Sequence, residues 1–173
     1  MHYTQTISSP LGNILLSADE VGLTGLWFDG GRYYAETLPE EHVERETPIL
    51  MDTKRWLDVY FTGREPDFTP LLHPTGSSFR QTVWQLLLEI PYGQTTTYGE
   101  LAKRLECGRM SAQAVGGAVG HNPISIIVPC HRVVGTNGSL TGYAGGLDRK
   151  IRLLEIEKKE MHGLFRPKKG TAI

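Results

Sequence analysis

Apolar positions along the first sixty residues change period once, and that change separates a sheet from a helix. Residues 3–7, 14–17 and 23–28 are short runs rich in β-branched and aromatic side chains, separated by Ser8-Ser9-Pro10-Leu11-Gly12 and Asp19-Glu20-Val21-Gly22. Both connections are turn chemistry, so the pattern predicts two hairpins in a small antiparallel sheet. After a polar, Glu-rich stretch, Ile49, Leu50, Trp56, Leu57, Tyr60 and Phe61 recur at helical spacing, and Gly63 closes that helix. Its aromatics are expected in a core rather than around chemistry, and His42 and His73 on the surface. Residues 66–76, with three prolines and Gly76, are expected to be a linker. Residues 1–75 thus form a support domain with its linker, and residues 76–173 a second domain.

The second part is dense with start and stop signals. Ser78 is placed to cap a helix carrying Phe79, Val83, Trp84, Leu87 and Leu88, which Pro91-Tyr92-Gly93 ends. Thr97-Tyr98-Gly99-Glu100 is a capping box opening a short helix over 98–105. Cys107-Gly108 then turns the chain, and Ser111 can cap a second short helix ending at Gly120 or His121. Two short helices about a glycine turn predict a helix-turn-helix. The apolar run 124–128 predicts a buried strand ending at Pro129-Cys130, and five glycines within 135–146 predict a loop. Asp148 is expected to cap a last helix with Ile151, Leu153, Leu154 and Ile156, bringing Glu157 near its end. The whole is an α/β (α+β) chain.

Charge divides along the same boundary. Residues 1–75 hold 5 Lys/Arg against 12 Asp/Glu, whereas residues 76–173 hold 13 against 7. A basic half beside an acidic half fits a polyanion-binding module with a support, although solvated faces account for charge alone equally well. Only Cys107 and Cys130 carry thiols, outside any disulfide or metal-ligand spacing, so no metal or cofactor is expected. Few thiols suit a reducing compartment. With no secretory pattern and no apolar stretch near the ~20 residues a membrane helix needs, the chain is expected in the cytoplasm, away from membranes.

Chemistry concentrates at Pro129-Cys130-His131-Arg132-Val133. A thiol with a pKa of roughly 8.5 is mostly protonated at neutral pH, so Cys130 needs a base, and His131 is adjacent. Neighbours in an extended segment point to opposite sides, so contact between them needs a turn or a relaying water. Glu157 is available to orient His131 through its second ring nitrogen, against the alternative of a solvent-facing charge beside Lys158. The helix Ala112-Gln113-Ala114-Val115-Gly116-Gly117-Ala118-Val119 is almost bare of large side chains. Its two glycines cost roughly 1 kcal/mol each relative to alanine. Either close packing on the sheet or a smooth face for the DNA minor groove, roughly 6 Å wide, accounts for them.

Taken together, the Pro-Cys-His-Arg-Val centre, the Ala-Val-Gly-Gly-Ala helix, Asn122-Pro123 before the apolar run and Tyr143-Ala144-Gly145-Gly146 closely resemble the catalytic domain of O6-alkylguanine-DNA alkyltransferases. Ile7-Ser8-Ser9-Pro10-Leu11-Gly12 resembles that family's N-terminal, RNase H-like domain. The resemblance implies a winged-helix-like catalytic domain acting as a monomer on double-stranded DNA bearing O6-alkylguanine. It implies base flipping from the minor groove and a single, irreversible transfer to Cys130. His131 would be the base acting through water, Glu157 its orienter, Asn122 a brace, and Tyr98 the donor to the departing guanine. Carbonyls of Cys130 and Val133, the Tyr143 ring, Gly145 and the backbone N–H of Ala144 would form the base pocket. Ala112, Ala114, Gly116, Gly117 and Arg132 would meet DNA. Gln113 stands where the family usually places an intercalating Arg; it is shorter, uncharged and stacks less well, and Arg109 is the candidate to share its task. Two rival classes are a turnover cysteine hydrolase, which additionally needs an oxyanion hole, and a non-catalytic lesion binder, which Cys130 argues against.

Overall fold

The computed structural model describes residues 1–105 and 112–167. Strands β1 (His2–Ile7), β2 (Ile14–Ala18) and β3 (Leu23–Phe28) form the two expected antiparallel hairpins. Ser9 Oγ donates to the Gly12 carbonyl in the first turn, where Gly12 takes φ of 108°. Asp19 Oδ1 accepts the N–H groups of Val21 and Gly22 in the second. The sheet is not wholly antiparallel, however. A fourth strand, β4 (His42–Glu44), runs parallel to β1 at the edge, giving the order β3-β2-β1-β4. All three of its residues are exposed, so it carries no apolar alternation by which to recognise a strand.

Helix α1 (Pro48–Phe61) begins at Thr47, whose side chain accepts from Leu50 N–H, with Pro48 in the first turn where its missing N–H costs nothing. It packs Leu50, Trp56, Leu57 and Tyr60 inward. The predicted linker is not slack. Leu23 N–H donates to the Leu71 carbonyl and His73 N–H to the Leu23 carbonyl, both at 2.7 Å, which stitches residues 71–73 along β3.

Helix α2 (Ser78–Leu87) is capped by Ser77, not Ser78, through a 3.2 Å bond from Arg80 N–H. Helix α3 (Tyr98–Arg104) starts at the expected Thr97, which accepts from Glu100 N–H. Helix α4 (Ala112–Gly120) packs on both α2 and α3. Trp84 Nε1 donates to the Ala118 carbonyl at 2.8 Å and fastens α2 to α4. A two-residue strand β5 (Thr96–Thr97) pairs in parallel with β6 (Val133–Val134). Helix α5 (Leu147–Ile156) starts from Gly146 at φ 95°; Asp148 lies inside its first turn and pairs with Arg166 instead of capping.

The apolar run 124–128 is buried but is not a strand. It makes one bridge, Ile124 to Leu26, and then turns, with Ile126 at φ 71°. Leu26 N–H donates to the Pro123 carbonyl and Ser125 N–H to the Leu26 carbonyl, so a single residue of β3 anchors the run. One hydrophobic core crosses both parts of the chain, joining Leu16, Leu26 and Phe28 of the sheet to Trp84, Val115, Val119, Ile127 and Leu153. No helix among the described residues is long and apolar enough to cross a membrane.

Candidate active site

Asn122 sets the geometry leading into Cys130. Its Nδ2 donates to the carbonyls of Ile124 and Val128 at 3.2 and 2.8 Å, and its Oδ1 accepts from Ile124 N–H at 3.0 Å. The segment is thereby folded back on itself, and Pro129 leads into a single 3-10 turn, Cys130–Arg132. That turn is the break an adjacent thiol and imidazole require.

Within it Cys130 is 4% exposed and His131 fully buried. His131 Nε2 lies 2.6 Å from Glu157 Oε2, while Nδ1 has no hydrogen-bond partner among the described residues. Glu157 sits at the end of α5 and accepts from three further donors: Tyr60 Oη at 2.6 Å, Arg132 Nε at 2.8 Å and Gly93 N–H at 3.0 Å. Burial alone would raise its carboxyl, but His131 and Arg132 outweigh burial and hold it well below the ordinary carboxylate range. An ionised Glu157 fixes the tautomer. Nε2 must carry the proton it donates, and the Nδ1 lone pair is left as the basic atom. Burial pushes the His131 imidazole down, with Glu157 opposing, and pushes the Cys130 thiol up against Asn122 and Lys150. At rest the pair is therefore a neutral imidazole and a protonated thiol, and the thiolate forms only when a proton is taken.

Lys150, unnoticed in the sequence, is fully buried beside this pair. Its Nζ donates to the carbonyls of Val133, Thr141 and Gly142 at 2.6, 2.8 and 3.3 Å. Burial pulls its pKa down to about 8, with Cys130 opposing. The spacing 150, 154, 157 on one helix face is the signal that could have found it, because it aligns Lys150 with buried Leu154 and Glu157.

The expected pocket residues come together around the same turn. Tyr143 is buried with its ring edge-on to His131, centroids 6.4 Å apart. Gly145 is obligatory, since a Cβ there would lie 2.6 Å from the Tyr143 ring and 2.9 Å from Phe28. The Val133 carbonyl accepts from Lys150 and the Cys130 carbonyl from Val133 N–H. Tyr98 Oη reaches the Thr141 and Gly142 carbonyls at 3.4 and 3.3 Å, and burial and Cys130 push its phenol well up.

The N-terminal part grips this loop directly. Arg32 N–H donates to the Ala144 carbonyl at 2.7 Å, and Arg149 joins the carbonyls of Leu11, Asp29 and Gly145. Tyr33 stacks on His121 with centroids 3.8 Å apart, and His121 Nδ1 pairs with Glu36. A cleft between these segments is lined by Phe28, Tyr33, Asn122, Ser125, Ala144 and Gly145.

On α4, Gln113 is exposed and Ala114, Gly116 and Gly117 are half-buried. A Cβ added at Gly116 or Gly117 would meet nothing within 4 Å among the described residues, so packing against these does not explain either glycine. Ala112 opens this helix; Cys107, Arg109 and Ser111 fall outside the described residues. Arg132 is a correction. Expected on a DNA surface, it points inward, bonding Glu157 through Nε and the Ile90 carbonyl through Nη1. A guanidinium drawn to a buried carboxylate is not available to phosphates.

A buried thiol, an imidazole tied to a carboxylate and a helix pair beside a sheet-bearing lobe are what the fold brings together. Residues 78–159 match the 6-O-methylguanine DNA methyltransferase, DNA binding domain, and residues 1–73 the 6-O-methylguanine DNA methyltransferase, ribonuclease-like domain. The chain belongs to the 6-O-methylguanine DNA methyltransferase family. It is 48% identical over 155 residues to a methylated-DNA--protein-cysteine methyltransferase of Methanosarcina acetivorans, covering 90% of this chain and 97% of that protein. A Haemophilus influenzae protein of the same name is 42% identical, with 91% and 87% covered. The crystal structure of Mycobacterium tuberculosis OGT in complex with DNA superposes with a TM-score of 0.80 at 42% identity, covering 90% of this chain and 92% of that one.

Proposed function

We propose that this chain is a DNA repair methyltransferase that accepts the alkyl group of O6-alkylguanine on Cys130, once per molecule. The single observation that carries the mechanism is the buried His131 Nδ1, without a partner among the described residues and one residue from Cys130 in the same 3-10 turn, its other nitrogen tied to an ionised carboxylate. Through a water, Nδ1 takes the thiol proton; Sγ attacks the alkyl carbon; the S–C bond forms as the C–O6 bond breaks. Guanine leaves with the electron pair and gains a proton, so the thiol proton is in net transferred to the base. Tyr98, kept protonated by burial, donates a hydrogen bond to the leaving base. The thioether is a poor leaving group, which makes the transfer irreversible.

Double-stranded DNA lies along the bare face of α4 in this reading, with Ala112, Ala114, Gly116 and Gly117 against the minor groove. Gln113, alone or with Arg109, fills the space of a flipped base. Val133, Tyr143, Ala144 and Gly145 receive that base, the Ala144 N–H facing O6. Residues 76–173 carry the chemistry and residues 1–75 support it, and one chain holds the whole site, so it acts as a monomer. A thiol that must stay reduced supports a cytoplasmic location.

Intact mass after incubation with an oligonucleotide containing O6-methylguanine tests this. One methyl per molecule is expected, and none on Cys130→Ser, which should still bind DNA. Product beyond one equivalent of protein would overturn the irreversible acceptor.

A further inference from the structure

Glu157 is held from the far lobe as well as from its own. Tyr60, on α1, places its hydroxyl 2.6 Å from Oε2, the same oxygen that His131 Nε2 approaches at 2.6 Å. We propose that Tyr60 is a positioning residue for the base: by sharing Oε2 with His131, it sets how strongly Glu157 holds an imidazolium, and so the pH at which Cys130 can be deprotonated. This rests on the reading of Cys130 and His131 given above.

Among the described residues the phenol has no other good acceptor, since its next contact is the Leu153 carbonyl at 3.5 Å. Its ring is fixed by Trp56, stacked at 5.3 Å, and by Phe61 and Tyr92, edge-on at 5.4 and 6.2 Å. Burial and Glu157 keep it protonated, so it acts only as a donor. Two donors on one oxygen compete. Each lowers the electron density that the other meets, and withdrawing the phenol lets Oε2 accept more fully from Nε2–H, which favours the charged imidazole. The remaining groups facing the pair do not share this oxygen. Arg132 and Gly93 bond Oε1; Tyr92 faces Glu157 from the turn after α2; Lys150, Tyr143 and Cys130 approach His131 from α5, the glycine loop and the 3-10 turn. Of the donors on Glu157 among the described residues, Tyr60 is the one from the N-terminal lobe.

The test is Tyr60→Phe in the full chain, read by single-turnover alkyl transfer against pH and, separately, by NMR titration of the His131 ring. Both midpoints should move to higher pH together, by about half a unit to one unit, so that transfer slows by about three- to tenfold below the midpoint and by less than about twofold above it. A second variant, 3-fluorotyrosine at position 60, keeps the shape and strengthens the donor, and should move both midpoints downward; it decides the matter if Tyr60→Phe does not fold. A merely structural Tyr60 would leave the midpoints in place, and unchanged midpoints, or shifts of the same sign in both variants, overturn the proposal. Absence of alkyl transfer by the unaltered protein would instead overturn the repair reading, while the NMR titration would still decide whether Tyr60 governs the imidazole.

Discussion

Arg132 Nε stands 2.8 Å from Glu157 Oε1, and the carboxylate of that pair is wholly withdrawn from water. The opposite oxygen, Oε2, faces His131, so Arg132, two residues from Cys130, is tied to the imidazole through a third side chain. Such a buried pair adds little net stability over an apolar substitute, but losing one partner strands the other charge.

Glu157→Gln should therefore have two separable effects. The amide cannot stabilise an imidazolium, and transfer should slow by roughly one to several orders of magnitude, as for other orienter substitutions. DNA affinity should change little. Arg132, left facing a neutral group, should cost about 3 kcal/mol of unfolding free energy, measured by urea denaturation. Unaltered single-turnover rates would show that Glu157 does not orient the base.

Lys150 gives the protein an unusual alkaline response. Its folded pKa, about 8, lies below the unfolded value of roughly 10.4, so the folded state binds fewer protons between those limits. Stability should rise with pH across that window, by up to about 3 kcal/mol. The Cys130 thiol acts oppositely: its folded pKa is raised, so its contribution is lost as pH climbs above the unfolded thiol value. Denaturation of Cys130→Ser between pH 8 and 9, below the range in which Tyr60, Tyr92, Tyr98 and Tyr143 oppose the rise, isolates the lysine, and the rise should vanish in Cys130→Ser combined with Lys150→Met. On the acid side, His131 and Glu157 both have lowered folded values. Stability should fall from about pH 6.5 downward, and again below about pH 4.3.

Gly117→Ala should stabilise the fold and weaken DNA binding at once. A methyl there meets nothing within 4 Å, so the gain in helix propensity, up to about 1 kcal/mol, should appear in thermal unfolding. The same methyl intrudes on the proposed groove contact, and Gly117→Glu should weaken binding further and make it less favourable at every salt concentration. A stabilised variant with unchanged duplex affinity would remove this face from the interface.

Gln113→Arg should speed repair of paired duplex and tighten binding, with little change on free O6-alkylguanine. Its planar cation stacks and hydrogen-bonds in the vacated space, offsetting part of a flipping cost of a few kcal/mol. Gln113→Ala should do the reverse. Single-turnover transfer on duplex, single strand and free base is the measurement; equal responses on all three would assign residue 113 to the pocket or the fold.

How much of this was legible in the sequence depended on whether a residue's partner was local. Hairpins around Ser9 and Asp19, and the caps at Thr47 and Thr97, are short-range and could be read or nearly read from spacing. Burial of 124–128 was legible, its turns were not: an apolar run reports that a segment is inside, whereas the Asn122 side chain decides that it folds back. Tyr60 was correctly expected in the core, but helical spacing speaks only for the ring, and its hydroxyl meets a residue far along the chain. Arg132 misled for the same reason. A cation beside a DNA-protein motif reads as surface until Glu157 is placed next to it.

The four donors on Glu157 stand 97, 64, 26 and 25 residues away from it along the chain. No contiguous fragment short of residues 60 through 157 contains them all. During synthesis, then, α1 and the sheet can pack early, but the carboxylate that equips the base is made after everything it must meet, and closing contacts of such separation is slow. A partly folded chain carries Cys130 only as an ordinary thiol. In the proposed mechanism, reactivity toward alkyl groups thus belongs only to a chain folded from residue 60 through residue 157.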